Sequence, residues 1–177
     1  MFLETLVSLS DVAMALFVLA TIIGGIYIYT SVQKDKQDRL KKETSNTSHK
    51  QIELTYTAYE RLIVLAERIA LPNLISRLNN SAYNAKEMQL VLNDNIKEEF
   101  EHNVSQQIYV TPDAWGAVRN LKEQNQLAIN QIAAIMPANA TGLDLNKQIL
   151  DFVINHPKGN LHTLVQEAIS YEAKKTS

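Results

Sequence analysis

The chain has 177 residues, a formal net charge of −2 at pH 7 and no cysteine. The absence of cysteine excludes disulfides, thiol catalysis and cysteine-ligated metals. Residues beyond position 50 have a small acidic excess, and this disfavours nucleic-acid binding, which needs clustered positive charge. This part of the chain is long enough to bury one core, so we expect a single small domain there.

An uncharged, strongly apolar segment covers residues 12–32. At about 1.5 Å per helical residue, it is long enough to cross a hydrocarbon core of roughly 30 Å. A cleaved signal peptide is the alternative, but signal peptides begin with basic residues, and this chain has no Lys or Arg before Lys34. Tyr27 and Tyr29 fit the aromatic residues found at membrane interfaces. The sequence therefore predicts an uncleaved transmembrane helix.

The charged residues on the two sides of this segment predict its orientation. Residues 1–11 contain two acidic residues and no basic residue, whereas residues 33–50 contain six basic and three acidic residues. Basic residues next to a span remain in the cytoplasm. We therefore predict an inner-membrane protein with a short extracytoplasmic N-terminus at 1–11 and a cytoplasmic C-terminal domain. The basic residues could also attract anionic lipid headgroups, although topology is their favoured role.

Small residues recur within the predicted span. Ala20 and Gly24 are four residues apart, and so are Thr21 and Gly25. This spacing lets two membrane helices approach closely, which predicts transmembrane packing through Ala20, Gly24 and Gly25, and a homodimer. The alternative is that glycine is simply common in membrane helices.

Residues 33–48 are predicted to form a charged and polar linker. Side chains at positions 44–48 compete with the helical backbone for hydrogen bonds, so we expect them to break the helix. Ser48 followed by Gln51 predicts a capping box for the next helix. The helical bundle domain is thus predicted to span 49–177.

From residue 49 onward the apolar residues recur with helical periodicity, which predicts an all-α fold without strands. Asn84 with Glu87 predicts one helix start, and Thr111 with Pro112 predicts another. Helices are expected at about 49–70, 74–79, 85–109, 112–136, 143–156 and 160–175, with a turn at 157–160. The predicted fold is therefore a transmembrane helix followed by a compact cytoplasmic bundle of about five to six helices.

The third predicted helix has an apolar stripe at every fourth residue, which is typical of a central bundle helix. The stripe consists of Met88, Leu92, Ile96, Phe100, Val104 and Ile108. The opposite face contains Asp94, Glu98, His102 and Ser105.

On the fourth helix, Trp115 is expected to be buried. Asn125 interrupts the apolar face there, either to fix the register by hydrogen bonding inside the bundle or because it lies near the boundary.

One cluster indicates possible chemistry, since Glu98, Glu99 and Glu101 surround His102. Glu99 and His102 have the Glu-x-x-His spacing of di-iron bundle proteins, so they are candidate metal ligands for an alternative function as a metal-dependent enzyme. Such a site needs a second motif, which the remaining histidines do not provide: His49, His156 and His162. The favoured interpretation is a solvated polar face with a Glu98–His102 pair, no catalytic residue and no cofactor.

Two surfaces have alternative interpretations. Gln106, Gln107 and Tyr109 are uncharged polar residues close to Trp115, and such a mixture is typical of an interface core. The same residues could instead hold the helix junction together. The repeated Glu-Arg pairs at 60–61 and 67–68 indicate either a strip for a partner helix or, as we favour, the edge of an amphipathic helix.

Four segments resemble a family of short bacterial proteins that have an N-terminal membrane anchor, a helical C-terminal domain and no assigned function. The segments are Tyr59–Leu62, Glu67–Ile69, Glu99–Val110 and Pro112–Trp115. The resemblance implies an envelope location and identifies no site residue. Together with the anchor, it favours a membrane-anchored interaction or scaffold protein. Its expected partners are the lipid bilayer and a protein or a second copy, with no nucleic acid and no identified small-molecule substrate.

Overall fold

The computed structural model describes residues 9–155 and 161–175. The first eight residues of the predicted N-terminal segment and the predicted turn at 157–160 lie outside this described part. Contacts divide the chain into two compact units, residues 1–50 and residues 51–177.

The described residues form six α-helices and one 3-10 helix. These are α1 (Leu9–Ile69), α2 (Leu71–Leu78), α3 (Ala85–His102), the 3-10 helix (Val104–Ile108), α4 (Pro112–Ala134), α5 (Gly142–Asn155) and α6 (Leu161–Lys175). They contain no strand, and an isolated β-bridge joins Asn84 to Thr141. The predicted all-α class is confirmed for the described residues.

The first unit contains the N-terminal part of α1. Its apolar window has a mean hydropathy of 2.2, and none of it is buried. In the described part of the chain, α1 is the one helix long and apolar enough to cross a membrane, by length and composition alone.

The predicted helix break at 44–48 is wrong, because α1 continues through this segment. Thr44 Oγ1 donates a hydrogen bond to the Leu40 carbonyl oxygen at 2.8 Å, and Thr47 Oγ1 donates to the Glu43 carbonyl oxygen at 2.9 Å. Each hydroxyl thus bonds back to the preceding turn instead of competing with the helix. The predicted capping box at Ser48 is also wrong, since that residue lies inside the helix.

The second unit has one apolar core, to which all of its described α-helices contribute. Helix α3 contacts α2, α4 and α5, in agreement with its predicted central position. The largest fully buried side chains are Tyr59, Leu62, Leu65, Ile69, Leu74, Met88, Leu92, Ile96, Leu121, Ile129, Leu145 and Ile149. Spacings of three and four residues within each helix place these side chains on one face.

Local hydrogen bonds fix the starts of α3 and α4. The Asn84 side chain accepts from the Glu87 backbone N–H, and the Glu87 carboxylate accepts from the Asn84 backbone N–H, both at 2.9 Å. Thr111 Oγ1 accepts from the Ala114 N–H, and Pro112 occupies the first turn. Both predicted start signals are confirmed.

The end of α3 differs from the prediction, because the helix stops at His102 instead of near Tyr109. Asn103 follows with a backbone ψ of 3°, and its Nδ2 donates to the Glu99 carbonyl oxygen at 2.8 Å. The chain then tightens into the 3-10 helix, which rotates the later positions of the predicted stripe away from the core. Ile108 is consequently 73 % exposed, so its predicted place in the stripe is wrong.

Candidate functional site

A groove of about 480 Å³ lies between α1 and α3 in the second unit. Its lining consists of Thr57, Glu60, Arg61, Val64, Leu65, Arg68, Glu99, His102 and Asn103. We call it the α1–α3 groove. It brings together both residues that the sequence indicated as candidate metal ligands, Glu99 and His102.

The periodicity of α1 explains which of its side chains reach the groove. Leu62 and Leu65 belong to the buried core. Arg61, Val64 and Arg68 recur three and four residues apart, so they form a neighbouring row on the same helix. The core residues therefore fix the rotation of α1, and that rotation places the charged and apolar row beside α3.

Glu99 is the polar centre of the groove wall. Its Oε1 accepts hydrogen bonds from Arg68 Nε, at 2.8 Å, and from Arg68 Nη2. Arg77 Nη1 lies 3.7 Å from the same oxygen. Arg77 is itself held in place, because its Nη2 donates to the Arg68 carbonyl oxygen and to Asn95 Oδ1. One carboxylate thus joins α1, α2 and α3.

The hydrogen bond from Arg68 lowers the pKa of Glu99 below its ordinary value, although partial burial acts in the opposite direction. The charges of Arg68, Arg77 and His102 add to the lowering. The same hydrogen bond raises the pKa of Arg68. Both groups are charged near neutral pH, and the pair is an ionic contact between α1 and α3.

The metal-dependent alternative stays a prediction, but the geometry already gives Glu99 cationic partners. The Glu99 oxygen that two guanidinium groups approach is not free to bind a cation. Among the described residues, no group of three or more His, Asp or Glu side chains could hold a metal ion. His102 is exposed in the last turn of α3, where a basic residue interacts favourably with the helix dipole. Glu98 is exposed as well.

The predicted interaction residues are not all on the surface. Gln106 is buried, which fits the alternative role of holding the helix junction together, whereas Gln107 and Tyr109 are exposed. Trp115 is partly buried against the core. Its ring centroid lies 4.9 Å from that of Phe100, so Trp115 contributes to packing between α3 and α4.

The two Glu-Arg pairs of α1 make different contacts. Glu67 Oε1 accepts from Asn73 Nδ2, and Glu67 Oε2 accepts from Gln166 Nε2, both at 2.8 Å. Glu67 therefore connects α1 to α2 and α6, as expected for the edge of an amphipathic helix. Glu60 and Arg61 line the groove instead, where both are exposed.

Sequence reasoning missed Arg77 and Asn103. Asn103 is buried and bonds to the end of α3, and Arg77 holds Glu99 from α2. Asn is found at the C-terminal ends of helices, so the end of α3 at Asn103 could have been predicted. No signal within α2 indicates the partner of Arg77, because that partner is on another helix.

The candidate transmembrane packing residues lie in the first unit. Ala20 is exposed, and a Cβ atom placed on Gly24 or on Gly25 would meet nothing within 4 Å. The described chain therefore leaves this strip of α1 open, and packing through it stays a prediction.

A family model matches residues 6–176 of the chain and is described as a family of unknown function, DUF7935. The chain belongs to the DUF7935 family. This agrees with the expected membership of an uncharacterised family, while the bacterial source and the membrane anchor stay predictions. No curated protein and no solved structure matches the chain.

Proposed function

We propose that the protein is a single-pass membrane protein whose cytoplasmic helical domain binds a protein partner as an interaction or scaffold module. The main support for a membrane anchor is the exposure of residues 12–32. No other part of the described chain packs over their side chains. An apolar surface of this size is unfavourable in water. Lipid would cover it, since an uncharged helix of 21 residues matches the hydrocarbon thickness.

Charge supports the proposed orientation. Basic residues begin at Lys34, directly after the apolar run, and the N-terminal side has none. Under the positive-inside rule, this asymmetry directs the second unit to the cytoplasm. The first unit then lies in and next to the membrane, and the second unit provides the surface for a partner.

The α1–α3 groove is the part of the second unit best suited to a protein partner. Arg61 makes no ion pair or hydrogen bond with any described residue, and Val64 is 51 % exposed beside it. Protein interfaces are enriched in arginine, and their buried centres are more apolar than the surrounding surface. The Arg68–Glu99 pair gives the groove a rigid wall, which limits the conformational entropy lost on binding.

Photo-cross-linking in native membranes tests this proposal. A photoreactive residue is placed at Val64, and the matched control carries it at Leu90, which is 52 % exposed on α3 and lies outside the groove. We expect discrete adducts from position 64 only, and we expect Arg61→Glu in the same chain to remove them. Equal labelling at the two positions, or adducts that survive Arg61→Glu, would contradict the groove as the partner surface.

A further inference from the structure

Four exposed side chains form a patch on the part of α1 that belongs to the second unit. Thr57 and Val64 are seven residues apart, so they lie within about 20° of each other around the helix. Glu60 and Arg61 lie halfway between them in height and about 50° to either side of the line that joins them. We call these four residues the α1 patch. All four line the α1–α3 groove, so an inference from them deepens the proposed function and rests on it.

The two charges of the α1 patch have no partner within the helix. Neighbouring residues on a helix do not face each other, so Glu60 and Arg61 cannot pair together. The positions three and four residues away from each of them have uncharged side chains. Neither of the two forms an ion pair with a described residue. One negative and one positive charge are thus available at the same height of α1.

The next Glu-Arg pair along α1 is already engaged within the chain. Glu67 bonds to α2 and α6, and Arg68 bonds to Glu99 on α3. The repeated pair therefore has one satisfied copy at 67–68 and one available copy at 60–61. The available copy lies beside Val64, which is 51 % exposed.

The α1 patch is complementary to itself in one orientation. If a two-fold axis relates two parallel α1 helices along the line from Thr57 to Val64, the Glu60 side of each copy faces the Arg61 side of the other. In an antiparallel two-fold pair, equal sides meet, so Arg61 would face Arg61 and Glu60 would face Glu60. Like charges at close range repel each other. The charges of the patch therefore favour a parallel pair.

The proposed anchor favours the same orientation. Helix α1 begins before the apolar run and ends at Ile69, and copies with the same topology leave the membrane in the same direction. The patch covers about two helical turns, which is far less than the roughly 20–30 residues a side of a stable interface. Confinement in a membrane compensates for this small size, because it raises the effective concentration of a second copy.

We propose that the partner at the α1–α3 groove is a second copy of this chain, which packs in parallel through Thr57 and Val64. Each Glu60 pairs with the Arg61 of the other copy. Val64 provides the apolar contact on the two-fold axis, and the two ion pairs set the direction and register of the helices.

Disulfide cross-linking of the full chain in native membranes tests this proposal. The chain has no cysteine, so a single introduced cysteine reports on its own position. Val64→Cys and Thr57→Cys place the thiol on the proposed axis, and Leu90→Cys is the control, 52 % exposed on α3 and outside the groove. Two differently tagged copies are co-expressed, the membranes are oxidised, and dimers that contain both tags are measured.

A disulfide needs Cα atoms within about 7 Å of each other, so we expect at least about fivefold more dimer from positions 57 and 64 than from position 90.

Charge reversal in the Val64→Cys chain separates a second copy from any other partner. Arg61→Glu alone, or Glu60→Arg alone, places like charges together, and each should lower the dimer yield by at least about fivefold. The double variant with both changes exchanges the two charges and keeps each copy complementary to the other, so it should restore the yield to within about twofold. Glu98→Arg, an exposed charge reversal outside the groove, should leave the yield unchanged within about twofold.

Three results would overturn the proposal. They are a dimer yield from Val64→Cys that does not exceed that from Leu90→Cys, a yield that neither single charge reversal lowers, and a double variant that remains as low as Arg61→Glu. Photo-adducts at Val64 with a different protein, together with any of these results, would overturn the second copy and leave the groove as a partner surface. Loss of both the photo-adducts and the disulfide dimers would overturn the proposed function as well.

Discussion

Replacing Glu99 by Gln should destabilise the second unit, because it removes the charge that holds Arg68 and Arg77. A hydrogen bond to a charged group contributes about 1.5–3 kcal/mol to stability. The Glu99 side chain is 13 % exposed, but that of Arg68 is 47 % exposed, so solvent screens part of the interaction. We therefore expect Glu99→Gln to lower the free energy of unfolding by about 1–2 kcal/mol at pH 7.

The pH dependence of this effect has a definite sign. Because the pKa of Glu99 is lowered in the folded state, the pair stabilises the fold above the unfolded pKa of a glutamate, about 4.3. The contribution disappears as the pH falls through the lowered folded value, where Glu99 becomes protonated. The difference between wild type and Glu99→Gln should therefore be full at pH 7 and shrink below about pH 4.

Urea unfolding of residues 51–177, the second compact unit, measures both effects by circular dichroism. Glu98→Gln is the matched control, since Glu98 is the exposed neighbour and should change stability by less than about 0.5 kcal/mol. If Glu99→Gln matched Glu98→Gln at pH 7, or if its effect stayed constant from pH 7 to pH 3.5, the Arg68–Glu99 pair would not stabilise the fold as argued.

Three further variants, one of them a double substitution, test other contacts. Trp115→Ala should cost about 2–3 kcal/mol in urea unfolding, less than for a fully buried indole; a change below about 0.5 kcal/mol would place Trp115 on a free surface. Asn125→Leu should cost about 1–3 kcal/mol, because it leaves a buried carbonyl without its donor, and an unchanged midpoint would contradict that role. Gly24→Ile with Gly25→Ile should weaken dimerisation of residues 10–33 in a membrane-association reporter, and an unchanged signal would exclude packing through this strip.

The helix starts could be predicted because their determinants are local. At Asn84 and at Thr111, the capping bonds connect residues only three positions apart. Asn125 was also accessible to sequence reasoning, since a polar residue within an apolar face needs a partner. Its Nδ2 donates to the Ile69 carbonyl oxygen at 2.7 Å, which confirms a hydrogen bond inside the bundle. The sequence could not identify Ile69 as the acceptor, because it lies on α1.

The course of α1 shows where local preferences mislead. Residues 44–48 have low helix propensity, but such preferences amount to less than about 1 kcal/mol per residue. Good helix-forming residues precede and follow this segment, and helix propagation is cooperative. The threonine hydroxyls find acceptors inside the helix, so nothing stops the helix there.

The candidate site could be predicted only in part. The cluster around Glu99 was visible from spacing, but its chemistry depends on Arg68 and Arg77. These residues lie on two other helices, and no pattern within α3 indicates them. The guanidinium of Arg68, on another helix, is what makes Glu99 part of an ionic contact between α1 and α3.

The anchor and its orientation are the central claim about this protein, and reporter fusions after Ser177 test both in one measurement. One fusion has a reporter that is active only in the cytoplasm, and the other has a reporter that is active only in the periplasm. We predict strong cytoplasmic activity, no periplasmic activity, and recovery of the fusion in membranes that have been washed with alkaline carbonate. Robust activity of the periplasm-only reporter, or release of the fusion into the soluble fraction, would contradict the account.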